Sequence, residues 1–113
     1  MVSKTLDTPY YAVIFTSRRS DVEEGYQKAA QRMLELAAQQ EGFLHVDSVR
    51  QHGHGITVSY WRDLESINRW KQQAEHLQAQ QQGKDEWYTS YQVRICKVER
   101  DYDFDMQRDI PTL

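Results

Sequence analysis

The chain has 113 residues, a formal net charge of −3, and 27% charged against 39% hydrophobic residues. That balance fits one water-facing domain with a single core, and no face rich in Lys and Arg invites nucleic acid. A mean hydropathy of −0.85 excludes a membrane-spanning helix, since no apolar run reaches the required length of about 20 residues.

Residues 1–8 are polar, lack the apolar stretch of a signal peptide, and are expected to be flexible. Residues 10–16 (Tyr-Tyr-Ala-Val-Ile-Phe-Thr) are aromatic and β-branched and predict a first strand buried on both faces. Ser20 and Asp21 then offer a cap, with Glu23 and Glu24 in the first turn. Tyr26, Ala29, Ala30, Met33, Leu36 and Ala37 place one apolar face on a helix over about 22–40, stopped by Gly42.

Residues 43–51 and 56–61 predict two strands joined at the His52-Gly53-His54-Gly55 turn. In the second, Ile56, Val58 and Tyr60 alternate with Thr57, Ser59 and Trp61. Asp63 caps a second helix whose stripe of Leu64, Ile67, Trp70, Ala74 and Leu77 runs to about residue 81, and Gly83 ends it. The last strand covers about 87–100, with Tyr91, Val93 and Ile95 facing one way and Arg94, Cys96 and Val98 the other.

Strand, helix, strand, strand, helix, strand is the order of an α+β, ferredoxin-like domain, here residues 9–100, with a four-stranded antiparallel sheet and both helices on one face. The other face needs a cover the chain does not supply. A homodimer through the sheet faces is therefore expected, with the acidic-apolar tail of residues 101–113 packing on the partner subunit. The lone Cys96 cannot form an internal disulfide, so a reduced, cytoplasmic setting is expected.

Three stretches carry a family resemblance: residues 40–44 (Gln-Glu-Gly-Phe-Leu), 56–61 (Ile-Thr-Val-Ser-Tyr-Trp) and 70–76 (Trp-Lys-Gln-Gln-Ala-Glu-His). They resemble the antibiotic biosynthesis monooxygenase domain family, a group of dimeric α/β barrels, over nearly the whole domain. The resemblance implies a pocket between helices and sheet for an aromatic small molecule. It also implies oxygen chemistry that needs no metal or flavin, so no cofactor is expected.

Alternatives within the same family are a binding or stress-response module without turnover, and a haem binder. For haem degradation the resemblance requires an asparagine on the first strand and a histidine ten residues beyond the helix tryptophan. Trp61 and Trp70 have the family's nine-residue spacing, but Gln80 stands at the ligand position and the only asparagine, Asn68, is on the second helix. Haem is therefore disfavoured, with His76 as the one remaining candidate ligand.

The resemblance also raises His76 from a rim histidine to a candidate base, since a neutral imidazole accepts a phenolic proton near neutral pH. Trp70 reads either as a core anchor or as the cavity wall against which a ring would stack. Tyr26, Met33, Tyr60, Trp61 and Tyr88 complete the expected substrate lining. His52 and His54 flank a glycine with no further ligand nearby, so no metal site is expected. Cys96 reads as a small hydrophobe.

Overall fold

A computed structural model describes residues 6–109. The chain runs β1 (Tyr10–Arg19), α1 (Tyr26–Ala38), β2 (Phe43–Gln51), β3 (His54–Trp61), α2 (Leu64–Gln72), α3 (Ala74–Gln82), one wide helical turn (Gly83–Trp87) and β4 (Tyr88–Val98). The strands form one antiparallel sheet in the order β2-β3-β1-β4. This is the expected ferredoxin-like α+β architecture.

Register assigns the faces. Tyr11 lies opposite Trp61 and Lys97, and Val13 opposite Ser59 and Ile95. Because side chains alternate along a strand, Tyr11, Val13 and Phe15 share one face with Trp61, Val93 and Ile95. On that face Trp61, Ala37 and Ile67 form the buried core, with Tyr11, Val13, Phe43 and Trp70 packed around them. Trp61 is 0% exposed.

Local chemistry sets the boundaries. Gly42 turns the chain into β2 at φ +86°, and a Cβ there would overlap the Ser66 side chain, so glycine is required for both conformation and space. Asp63 caps α2 as expected, its Oδ1 accepting from Ser66 N–H and Oγ at 2.7 Å each.

Two helix boundaries differ from expectation. The first helix begins at Tyr26 after Gly25 at φ +79°, not near residue 22. The Ser20 hydroxyl bonds locally to Val22 N–H and to the Glu86 carbonyl, and Trp87 Nε1–H donates to Glu24 O at 3.0 Å. This loop spends its polar groups on the turn before β4 instead of capping a helix.

The second helix is two helices. Gln73 leaves the helical region (φ −63°, ψ 132°), and its side chain accepts from His76 N–H at 2.9 Å, capping α3. Gly83 caps the C-terminus of α3 as expected, and it also opens the wide turn that runs to the buried Trp87. α3 has no fully buried residue. It is held to α1 by a bidentate Arg32–Glu75 pair with both contacts at 2.9 Å.

α1 packs on β2 and α2 on β3. Beyond them, on the same face, Val93 and Ile95 of β4 are about half exposed. Leu6 N–H donates to Asp101 Oδ2 at 3.0 Å. Residues 1–5 and 110–113 of the two expected terminal segments lie outside the described residues.

Candidate functional site

The break at Gln73 creates the most specific arrangement in the fold. On a continuous helix His76 would sit about 120° around from Trp70. The break instead brings the two rings into a parallel stack, centroids 4.1 Å apart and planes 14° off parallel. Trp61 also neighbours Trp70, with ring centroids 6.1 Å apart and planes 26° off parallel. The Trp70 indole is therefore engaged by two of the protein's own rings.

His76 Nδ1 lies 2.9 Å from the Trp70 carbonyl oxygen. A carbonyl only accepts, so Nδ1 carries the hydrogen and donates it, and the lone pair is on Nε2. The Gln80 side-chain amide is 3.4 Å from Nε2 and can donate to it weakly. Burial pushes the His76 pKa below the ordinary imidazole value, against the smaller opposing effect of the bond to Trp70. The ring is thus neutral at pH 7, with one fixed tautomer and one basic nitrogen.

Next to this group the sheet changes character. Val13 packs into the Trp61 cluster, yet its β4 partner Ile95 is 50% exposed. Val13, Phe15, Val93 and Ile95 make an apolar floor on the helix side, covered under α2 and open over β4.

A second aromatic cluster lies at the other end of the floor. Phe15 meets Tyr88 and Tyr91, with centroids 5.5 and 5.3 Å apart, and Tyr26 meets Trp87 and Tyr88 edge-on. The Arg19 guanidinium sits 3.3 Å from the centre of the Tyr26 ring, a close cation–π contact. Arg50 lies across Gly55 and donates to the buried Ser17 Oγ at 2.6 Å. Burial, with a hydrogen bond donated to Tyr26, pushes the Tyr88 pKa up. A shallow surface depression of about 210 Å³ is bordered here by Lys84, Tyr88, Thr89, Ser90 and Tyr91, remote from His76.

The expected lining is thus divided. Trp61, Trp70 and His76 meet at one end. Tyr26 and Tyr88 meet at the other, and Met33 is half-buried midway along α1. Six residues of β1 separate the rows of Tyr11 and Ser17, about 20 Å at strand rise. Tyr60 is on the opposite sheet face, opposite Ala12, where its ring contacts Tyr10 and stacks on His45. The alternation of β3 already put Tyr60 and Trp61 on opposite faces, so both could not line one pocket.

Gln73, which caps α3 beside His76, is the residue that sequence reasoning missed, since it lies in a glutamine-rich stretch with no pattern to single it out. Gln80, read from the sequence only as standing at the haem-ligand position, reaches His76 Nε2. Among the described residues no group of three His, Cys, Asp or Glu is placed to hold a metal ion, and none of the helices is long and apolar enough to cross a membrane. His52 and His54 are exposed at the β2–β3 turn.

Residues 9–82 match the family model described as antibiotic biosynthesis monooxygenase. The chain is 52% identical over 100 residues to YqjZ of Bacillus subtilis, an uncharacterized protein, covering 88% of each. It is 30% identical over 92 residues to the jasmonate monooxygenase ABM of Pyricularia oryzae, covering 78% of this chain and 43% of that longer protein. Among solved structures, SnoaB of Streptomyces nogalater, a cofactor-independent oxygenase, superposes with a TM-score of 0.72 at 11% identity, over 83% of this chain and 97% of that one. On the family match and the shared fold, the chain belongs to the antibiotic biosynthesis monooxygenase family.

Proposed function

We propose that this chain is a cofactor-independent oxygenase for an electron-rich aromatic or enolisable small molecule, working as a homodimer. The observation that carries the reading is His76: half-buried, neutral, tied through Nδ1–H to the Trp70 carbonyl, with Nε2 as its one basic atom. The substrate would lie on the apolar floor of Val13, Phe15, Val93 and Ile95 and present an acidic O–H or C–H to Nε2. The names of SnoaB, a cofactor-independent oxygenase, and of the jasmonate monooxygenase fit oxygen chemistry.

In this mechanism His76 accepts the substrate proton as a general base. The resulting anion passes one electron to dioxygen. The substrate radical and superoxide then combine into a carbon–oxygen bond, and the imidazolium returns its proton to the peroxide. Loss of water from the hydroperoxide leaves a carbonyl. The protein's part is to exclude water and hold the anion near its base. Trp70, stacked on His76 and accepting its Nδ1–H through the backbone carbonyl, serves as the backing that orients it.

The homodimer is supported by the sheet face away from the helices. Ile56 and Val49 are exposed there, and Ile14, Val58 and Cys96 are half-buried. A second sheet laid on this face would cover them.

The test is oxygen uptake with an anthrone or quinol substrate, using protein purified free of metal, flavin and haem. Uptake that is abolished in His76→Ala, with the variant still folded, is the expected result. A variant as fast as the parent would remove the base from the mechanism, and a parent with no uptake above the blank would remove the oxygenase reading itself.

A further inference from the structure

The strongest unassigned feature is a pair of arginines at the Tyr26 end of the floor. Several arginines of the chain have a carboxylate partner: Arg32 meets Glu75, Arg69 meets Glu65, and Arg108 meets Asp103 and Asp109. Arg50 enters no ion pair among the described residues, yet its guanidinium is held in place. Its Nη1 donates to Gly53 O at 3.2 Å and its Nη2 to the buried Ser17 Oγ at 2.6 Å. Gly55 makes the seat, since a Cβ there would overlap the Arg50 guanidinium.

Arg19 lies beside it. The guanidinium carbons of Arg19 and Arg50 are 3.3 and 5.5 Å from the centre of one ring, that of Tyr26. Both are within electrostatic reach of the Tyr88 hydroxyl. The Arg19 side chain is only 5% exposed, and its one carboxylate partner, Glu23, is 72% exposed at 3.7 Å. So long and solvated a contact offsets little of the cost of bringing two like charges together on a largely aromatic surface.

The groups that meet here are donors in need of an acceptor. The remaining N–H groups of Arg50 have no acceptor among the described residues. Tyr88 donates to the Tyr26 hydroxyl, which leaves the Tyr26 hydrogen as a further donor. Tyr10 shows the contrast, because its hydroxyl donates to Asp101 Oδ2 at 2.6 Å, a tether supplied by the chain itself. From the arginines an apolar row leads away on the same sheet face. Tyr91 lies opposite Ser17 and Val93 opposite Phe15, and Tyr91, Val93 and Ile95 are 37%, 49% and 50% exposed.

We propose that Arg50, with Arg19 and the Tyr26 hydroxyl, binds the carboxylate of an acidic small molecule whose apolar body lies along Phe15, Val93 and Ile95. A planar guanidinium pairs with a carboxylate through two parallel N–H···O bonds. The rings of Tyr26, Tyr88 and Phe15 around the arginines favour that planar, singly charged group over a more strongly hydrated phosphate. The proposal names the substrate class of the site described above and rests on that reading for the position of the apolar body. Binding alone tests it.

Equilibrium dialysis of the full chain compares anthracene-2-carboxylate with anthracene-2-carboxamide, two probes of one shape that differ in charge. The acid should bind about tenfold or more tighter than the amide. Arg50→Gln should abolish that preference, and Arg50→Lys should keep part of it, since a point charge attracts without the fork. Gly55→Ala alters no charge but displaces the Arg50 guanidinium, so it should also lower the preference. Arg62→Gln, an equal loss of charge at the other end of the sheet, should leave it unchanged. Equal binding of acid and amide, no binding of either, or a preference that survives Arg50→Gln in a folded variant would overturn the site. So would an equal loss in Arg62→Gln, which would make the preference one of net charge, or displacement of the acid by inorganic phosphate. Oxygen uptake from a neutral anthrone separates the two claims. Uptake without acid preference refutes the carboxylate site alone, and acid preference without uptake refutes the oxygenase reading alone.

Discussion

The two halves of the sheet are made of similar residues and finished in opposite ways. Under the helices, β3 contributes a fully buried Trp61 ringed by Phe43, Trp70 and Ile67. Beyond them, β4 offers Tyr91, Val93 and Ile95 with as much apolar character and no cover. The difference comes from where α2 ends. A helix that ran straight on would carry His76 around to another face, whereas the turn at Gln73 lays it on Trp70. The filled half supplies rigidity and the open half supplies space.

That contrast can be broken most severely at Trp61. Trp61→Ala removes the one fully buried ring of the core and should destabilise the chain by about 3–5 kcal/mol in urea unfolding. Val93→Ala on the open half should change stability by less than about 1 kcal/mol. Equal losses at the two positions would mean that β4 is as well packed as β3, and that the halves do not differ.

A smaller effect is expected at the turn into β2. Gly42→Ala must adopt φ +86° and displace the Ser66 side chain, which should cost about 2 kcal/mol or more. Gly53→Ala, at φ +79° with open space around it, carries only the backbone cost of about 1–2 kcal/mol. If the two variants melted together, the contact with Ser66 would be irrelevant.

Tyr10→Phe sharpens the comparison at the strand ends, since it loosens the tether at Asp101 for about 1 kcal/mol. Burial, helped by Asp101, pushes the Tyr10 hydroxyl up to about 12. Its folded pKa is raised, so its contribution is complete below the unfolded value near 10 and is lost as pH rises through about 12. The parent should therefore lose stability in that alkaline window more steeply than Tyr10→Phe, and parallel alkaline profiles would deny the tether.

Much of this design was readable before any coordinates. Alternation in residues 56–61, the Gly53 turn and the Asp63 cap specify β3, the hairpin and the start of α2, because each rests on local backbone chemistry. The break at Gln73 was not readable. Residues 72–82 hold six glutamines, each acceptable to a continuous helix, and the cap that Gln73 makes to His76 becomes visible only once the turn exists. The aromatic residues misled for a related reason. Tyr60, Trp61 and Tyr88 look like one cluster in the sequence, but strand alternation sends Tyr60 to the far face, and the antiparallel register sends Tyr88 to the far end.

The account depends most directly on the protonation state of His76. Nitrogen-15 NMR of the imidazole, followed through a pH titration, reads both the tautomer and the pKa. Burial lowers the folded pKa below the unfolded value near 6.5, so stability should fall as pH drops through that value toward the folded pKa. The expected spectrum shows a neutral ring with hydrogen on Nδ1 at pH 7, with a pKa below the ordinary imidazole value. A ring that is cationic at pH 7, or neutral with hydrogen on Nε2, would contradict the assignment of Nε2 as the base.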